Sequence, residues 1–482
     1  MPARITVPDQ AALAPLLQGE RTAVARGIAA LGGRVLLVGG SVRDLAMGVE
    51  PKDLDWEVHG LSPESLAGLL GNYCDVHQVG TRFGVLKVRL DGIDVDLALP
   101  RRESKAGRGH RGFQVEVDPT MTPREAAARR DFTWNAMAID LNSGEFMDLF
   151  GGLDDLREGL IRHVGPAFAE DPLRVLRAMQ FAARFGFAIA PETALLCGEL
   201  FDEYRDLAGE RVWMEWAKWA ERGRFPSLGL EALRATRWIG HYPELTALTN
   251  CPQDPLFHPE GDVWTHTLLA CDAAARIAER DGIAGDDRLV VVFGALCHDL
   301  GKPGTTETRA DGRITSAGHA EAGDPATVAL LERIGFPGRL VPRVVSMVRE
   351  HMSHISLAAG GFSDRGVRRL ARRLEAAGNS VSLLGAVVES DHSGRPPLPG
   401  GMPQEMRRCL EQADGLDLLS SGPRQILLGR HLLDLGVAPG PGMGRILRAA
   451  MEAQLDGAFH DLGEAVEWAR DFVRSEGRGH TD

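Results

Sequence analysis

Residues 35–60, VLLVGGSVRDLAMGVEPKDLDWEVHG, constrain this chain more than any other stretch. The apolar run Val35 to Val38 reads as a buried strand that Gly39-Gly40 ends, and a short helix follows through Arg43, Asp44 and Met47. Pro51 closes a loop before a second strand carrying Asp53-Leu54-Asp55-Trp56-Glu57-Val58. Side chains alternate along a strand, so Asp53 and Asp55 share one face while Leu54, Trp56 and Val58 share the other. Two carboxylates about 6–7 Å apart on one face are placed to hold one or two Mg²⁺ ions. A half-buried strand with a wet face is the plainer reading of Asp-x-Asp taken alone. Gly39 and Gly40 let backbone N–H groups approach a phosphate with no Cβ in the way.

A chain of 482 residues has room for about three domains with ample core. Its formal net charge of −13 argues against a protein that coats nucleic acid, but not against a nucleic-acid enzyme whose positive charge is local. The cysteines (Cys74, Cys197, Cys251, Cys271, Cys297 and Cys409) form no CxxC pair, so a reduced, cytoplasmic protein is expected. No basic start precedes an apolar core, and the run Leu289 to Cys297 is far short of the about 20 residues of a membrane span.

The ordered set of strand, GGSVRD, short helix and KDLDWEV resembles the first motif of the class II nucleotidyltransferases of the polymerase-β-like superfamily. That group holds the tRNA CCA-adding enzymes and the bacterial poly(A) polymerases. Downstream, residues 83–99 read as a hairpin turning at Asp91-Gly92, with Ile93, Val95 and Leu97 on one face and Asp94 and Asp96 on the other. The resemblance asks for a third acidic residue here, and Asp96 matches; a solvated hairpin face is the alternative. Residues 101–112 carry Arg101, Arg102, Lys105, Arg108 and Arg111 against the single Glu103, and read as a solvated loop able to grip phosphate. The resemblance makes this a flexible loop that moves between additions of C and of A. RRDFTWNAMAID, 129–140, resembles the family's RRDFTxNAxA. Arg129 and Arg130 can neutralise a triphosphate and Asn135 can contact sugar or phosphate, while Phe132 and Met137 suit a core. With Gly39, Gly40 and Arg43 they form the expected triphosphate cradle.

Residues 146–163 resemble the join between such a head and its neck, with structural roles for Asp148, Gly151 and Gly152. Glu170-Asp171-Pro172-Leu173-Arg174 opens a helix through Phe185, on which Arg174 and Arg177 lie one turn apart. Pro172 and the two acids suit a helix start on their own. The family's EDxxR motif implies more: Asp171 and Arg174 present hydrogen-bonding edges to the incoming base as a protein template for CTP or ATP. Gln180 departs from the family, where many relatives have Arg. Residues 209–222 resemble the motif that braces the template helix, with tryptophans mostly in the core.

After a loop near 250–259 the chain turns helical and histidines multiply. WTHTLL, ALCHDLGKP, GHAEAG, REHMSH and ESDHSGR follow in the order seen in HD-type metal phosphohydrolases. His266, His298, Asp299 and Asp391 match the ligand set of a water-activating transition metal. His319 and His351 match a second ion or phosphate, and Lys302 a phosphate. His460-Asp461 has no such series around it. Isolated core histidines are the plainer reading.

The resemblance therefore implies an α+β chain: a small mixed-sheet nucleotidyltransferase head (1–163), an all-α neck and body (164–250), an HD domain (251–395) and a helical, tRNA-binding tail (396–482). The implied reaction is addition of CCA to tRNA from CTP and ATP. Asp53 and Asp55 would hold Mg²⁺, Asp96 would position or deprotonate the 3′ hydroxyl, and Ni²⁺, Mn²⁺ or Co²⁺ would serve the HD domain. DNA and membrane partners are not expected. Two readings stand beside it: a poly(A) polymerase or partial CC- or A-adding enzyme, and an HD phosphohydrolase with a non-catalytic RNA-binding head.

Overall fold

The computed structural model describes residues 5–73, 85–105 and 113–478. Two compact units divide the chain, Met1–His241 and Tyr242–Asp482. Among the described residues no helix is long and apolar enough to cross a membrane.

The strands of the first unit are β1 (Arg34–Val38), β2 (Leu54–His59), β3 (Val85–Leu90), β4 (Ile93–Ala98), β5 (Arg101–Lys105), β6 (Phe113–Val117), β7 (Ala138–Asp140) and β8 (Phe146–Met147). Six form a mixed sheet ordered β3-β4-β2-β1-β7-β8, antiparallel throughout except where β2 runs parallel to β4. That parallel pairing positions the site, because its register sets Asp55 beside Asp96. The expected hairpin turns at Asp91 and Gly92, both with positive φ, the geometry of a two-residue turn that matches strand twist. The Asp91 carboxylate also accepts from the Arg21 guanidinium at 3.2 Å, tying the turn to the helix Gly19–Ala30. Two helices precede β1, Gln10–Leu13 and Gly19–Ala30, divided where Pro15 and the positive φ of Gly19 interrupt them.

One expectation changes in the basic stretch. Arg101–Lys105 is a strand rather than a loop, paired antiparallel with Phe113–Val117. The alternating apolar residues of 113–117 supply a partner that charge counting overlooked. Arg108 and Arg111 lie outside the described residues, as do Phe83-Gly84 and Cys74.

Helix α1 (Gly40–Ala46) leaves β1 at Gly39. Past the sheet, α2 (Leu173–Phe185) packs on α3 (Gly209–Arg222) and on the helix Pro226–Ala235. Phe132 stacks on Trp134 at 5.3 Å, and Trp134 meets Phe181 of α2 edge-on at 4.9 Å. Such pairs add about 0.5–1.5 kcal/mol each beyond their burial. Asp148 accepts from the backbone N–H groups of Gly152 and Leu153, and a Cβ at Gly152 would lie 2.3 Å from the Thr133 carbonyl oxygen. Both residues hold the RRDFT segment against its neighbour.

The second unit is helical. Its bundle is α4 (Val263–Arg280), α5 (Gly285–Cys297), α6 (Val341–Glu350) and α7 (Val381–Ser393). The side chain of Asp262 caps α4, accepting from the Thr265 N–H at 2.9 Å. Leu289 to Cys297 is buried on every side, as an apolar helix at the centre of a bundle must be. The helix Gln404–Gly415 packs on α7, and the tail then builds its own core from Leu427, Leu432, Ile446, Ala450, Phe459, Ala465 and Ala469. Cys197, Cys251, Cys271, Cys297 and Cys409 are free and buried.

Candidate active sites

The first cluster lies where β1 ends and β2 begins. Leu54, Trp56 and Val58 are buried, and Asp53 and Asp55 open to solvent, as strand alternation requires. Asp53 stands just before β2. The Ser41 hydroxyl donates to the Asp53 carbonyl at 3.0 Å and accepts from the Asp55 N–H at 3.2 Å, so the turn after Gly40 holds the carboxylate strand. Gly39 has φ 69° and ψ −137°, and a Cβ there would lie 3.1 Å from Arg130 Nη1 and 3.3 Å from Asp55 Oδ2. Asp96 Oδ2 accepts from Lys87 Nζ at 2.7 Å.

The cleft walls strip part of the hydration from Asp55. That desolvation raises its pKa, the like charges of Asp96 and Asp53 add to it, and Arg130 and Arg43 oppose. Crowded carboxylates of this kind suit a divalent cation, whose charge relieves their repulsion.

Each cation expected at a triphosphate already has a protein partner. Arg43 is buried; it donates to Asp44 Oδ1 at 2.5 and 2.8 Å and to Asn135 Oδ1 at 3.1 Å, and lies against the rings of Trp134, Phe181 and Phe185. Arg129 bonds Glu170 at 2.8 Å and Arg130 bonds Glu57 at 2.9 Å. Burial alone would raise the Glu57 carboxyl, but Arg130 and His59 outweigh it and hold it down to about 2. Asn135 is itself buried and donates to Asp131 Oδ1 at 3.0 Å.

Asp171 and Arg174 stand at the start of α2. Asp171 Oδ2 accepts from Arg211 of α3 at 2.8 Å, a contact that ties α3 to the start of α2. Arg174 donates to the Ala167 and Arg129 carbonyls, both at 2.6 Å. Arg177 donates to Asp131 Oδ2 at 2.7 Å, and Gln180 is buried.

The second cluster gathers His266 from α4, His298 and Asp299 after α5, and Asp391 from α7. His266 Nε2 lies 3.1 Å from both His298 Nε2 and Asp391 Oδ1, and His298 Nε2 lies 3.2 Å from Asp299 Oδ2. His319 and His351 join Asp299 in an adjoining group, their Nε2 atoms 3.1 Å apart. The far side of each ring explains the near side. The Nδ1–H groups of His298, His319 and His351 donate to the Ala295, Ser316 and Val348 carbonyls at 2.8, 2.8 and 2.6 Å. Their Nε2 atoms therefore carry lone pairs into two adjoining groups, an arrangement that suits a cation. Burial, then the neighbouring His298 and His319, pushes His351 down to about 3, which keeps it a neutral donor atom. Lys302 Nζ sits 2.8 Å from Asp299 Oδ2 and donates to Gln253 Oε1 at 2.7 Å. A cavity of about 380 Å³ opens over the centre, lined also by Phe257, His258 and Arg395.

The sequence reading passed over four contributors. Glu57 continues the Asp53, Asp55 alternation and could have been found by it. Ser41 stands inside the GGSVRD motif. Glu260 accepts from His266 Nδ1 at 2.8 Å and His258 Nδ1 at 2.9 Å, yet HPEGD reads as a loop. Lys87 carries no motif at all. His354 points its Nδ1 at the His351 carbonyl and belongs to none of the three groups that could hold a metal ion among the described residues.

Comparison with known proteins matches residues 35–162 to the poly A polymerase head domain and residues 263–418 to the HD domain. The multifunctional CCA protein of Xanthomonas campestris pv. campestris strain B100 is 39% identical over 370 residues, covering 75% of this chain and 85% of the relative. The multifunctional CCA protein of Pasteurella multocida strain Pm70 is 39% identical over 331 residues, covering 67% of this chain and 75% of the relative. Among solved structures, the Bacillus stearothermophilus CCA-adding enzyme in complex with CTP aligns with a TM-score of 0.64 at 21% identity, over 97% of this chain and 99% of that one. The Thermotoga maritima CCA-adding enzyme complexed with tRNA gives 0.60 at 20% identity, over 96% and 98%. These structural likenesses establish the fold. The two domain matches together imply divalent-metal dependence.

Proposed function

The chain belongs to the multifunctional CCA protein family, and from that premise we propose that its head builds the 3′-terminal CCA of tRNA from CTP and ATP. We assign the head to 1–163, neck and body to 164–250, a metal-dependent HD phosphohydrolase to 251–395 and a tRNA-binding tail to 396–482, acting in the cytoplasm. The observation that carries the reading is the register of β2 against β4, which sets Asp55 beside Asp96 with Asp53 at the strand entrance.

The 3′ oxygen of the tRNA attacks the α-phosphorus, the bond to the β-phosphate breaks, and pyrophosphate leaves. Asp96 keeps one oxygen on Lys87 and offers the other to the attacking hydroxyl. Asp53 and Asp55 would hold Mg²⁺, which supplies charge neutralisation at the leaving pyrophosphate and acidifies the hydroxyl. Gly39 and Gly40 keep backbone N–H groups open to phosphate, with Arg129, Arg130 and Asn135 around them. Asp171 and Arg174 would read the base, released from Arg211 and from the Ala167 and Arg129 carbonyls when a nucleotide enters. Arg177 supports them through Asp131. In the HD domain His266, His298, Asp299 and Asp391 would hold a transition metal such as Ni²⁺, Mn²⁺ or Co²⁺, whose chemistry is activation of water. Lys302 and His319 face the cavity that receives the phosphate ester.

Separation of the two activities tests this reading. Asp53→Asn with Asp55→Asn should abolish nucleotide addition and spare phosphohydrolysis, and His298→Ala with Asp299→Ala should do the reverse. Loss of both activities in either variant would contradict two independent sites.

A further inference from the structure

The cavity beside the head carboxylates contains three cations that the motif reading passed over, Lys52, Arg184 and Arg222. It measures about 440 Å³, within the range of ligand pockets, and its walls include Gly40, Ser41, Asp53 and Asp55 on one side and Arg184 and Arg222 on the other. Arg184 lies near the end of α2 and Arg222 is the last residue of α3, so the two packed neck helices deliver both guanidiniums to one cavity. Among the described residues neither has an ion pair or hydrogen bond. Arg184 is half-buried and rests on the Phe185 ring, 4.7 Å from its centroid, which limits its freedom. By contrast Arg43, Arg129 and Arg130 are each engaged by a carboxylate. Burial, then the nearby charges of Arg43 and Arg222, lowers the pKa of Arg184 in spite of Asp44. Uncompensated positive charge at the edge of an acidic cluster calls for an anion that reaches from one to the other.

We propose that Arg184 and Arg222 bind the β- and γ-phosphates of the incoming nucleotide and hold the departing pyrophosphate. This rests on the nucleotidyl-transfer reading and adds to it two arginines with uncommitted charge, beside Lys52 on the same cavity wall. Arginine suits the task because its planar fork makes paired bonds to phosphate oxygens. The contact is to the phosphates alone, so it serves CTP and ATP equally and leaves base choice to Asp171 and Arg174.

The test uses the full-length protein with inorganic pyrophosphate as the calorimetric probe in Mg²⁺ buffer. The variants are Arg184→Ala/Arg222→Ala and the charge-preserving Arg184→Lys/Arg222→Lys. The alanine pair should weaken pyrophosphate at least tenfold and raise KM for CTP and ATP by one common factor, with tRNA affinity in a filter assay unchanged. The lysine pair should show the same pattern with a smaller, roughly threefold loss, and supplies the readout if the alanine pair fails to fold. Unchanged pyrophosphate binding would overturn the proposal. So would weakened tRNA binding with pyrophosphate binding intact, which would assign the pair to the acceptor strand. A KM change for one nucleotide only would also overturn it. A wild-type protein that binds pyrophosphate through this pair but adds no nucleotide would overturn the transfer reading and leave the phosphate site standing.

Discussion

Replacing Gly39 with alanine acts on both stability and chemistry. At φ 69° and ψ −137° the backbone occupies a region that residues with a Cβ essentially avoid, at a cost of about 1–3 kcal/mol. The new Cβ would also lie 3.1 Å from Arg130 Nη1 and 3.3 Å from Asp55 Oδ2, so one of them must yield by a few tenths of an ångström. Misplacement of a reacting group by 1 Å costs about 100-fold, and a shift of about 0.3 Å therefore costs about fourfold. Gly40→Ala is the control. Its φ is ordinary, and its Cβ would come no closer than 3.4 Å to Arg43 Nη2. Urea unfolding should place G39A about 1–3 kcal/mol below wild type and G40A within about 0.5 kcal/mol of it. Single-turnover incorporation of CMP into a tRNA lacking CCA should fall about fourfold or more in G39A. G39A with wild-type stability and rate would refute the claim that this turn sets the carboxylates.

Asp131→Asn leaves Arg177 facing a neutral amide, and denaturant unfolding should show a loss of roughly 3 kcal/mol. The pH dependence follows from the same pair. Burial alone would raise the Asp131 carboxyl, but Arg177 and the hydrogen bonds from Asn135, Arg177 and the Phe132 N–H hold it below its usual range. Its stabilisation is thus fully present above the unfolded value of about 3.9 and is lost as pH falls through the folded value; the acid limb of a stability–pH curve should flatten in D131N. Glu260→Gln removes the carboxylate that holds His266 Nδ1, and metal titration of the apo protein should show affinity reduced about 10–100-fold. Arg211→Gln frees Asp171 from its brace, and competition between CTP and ATP on a tRNA ending in CC should show relaxed selection of the nucleotide.

Some of the architecture was legible because the relevant signals are local. Asp91-Gly92 between alternating runs specifies its hairpin wherever it sits, and Leu54, Trp56 and Val58 declare the buried face of β2 without reference to a partner. The histidine series was legible through an order that resembles HD-type phosphohydrolases, and the fold brings His266, His298 and Asp391 within 4.8 Å of one another. What stayed hidden depends on pairing at a distance. Nothing near Lys87 says that it will meet Asp96 across a hairpin, and nothing near Glu260 says that it will hold two histidine rings. Arg43 has a second aspect that its motif does not show. Its motif suggests a hand for phosphate, and the fold adds Asp44, Asn135 and three aromatic rings around it at the wall of the cavity that holds Asp53 and Asp55. The strand at Arg101–Lys105 was missed because its partner lies beyond a stretch read for charge rather than for alternation.

The central claim is that one head adds two cytidines and one adenosine and then stops. Three tRNAs, ending before CCA, after C and after CC, would be offered CTP, ATP or both with Mg²⁺ under single turnover. The account predicts C, C and A added in that order, with no extension past the terminal A. Long A tails, arrest at CC, or no incorporation on any of the three would contradict it.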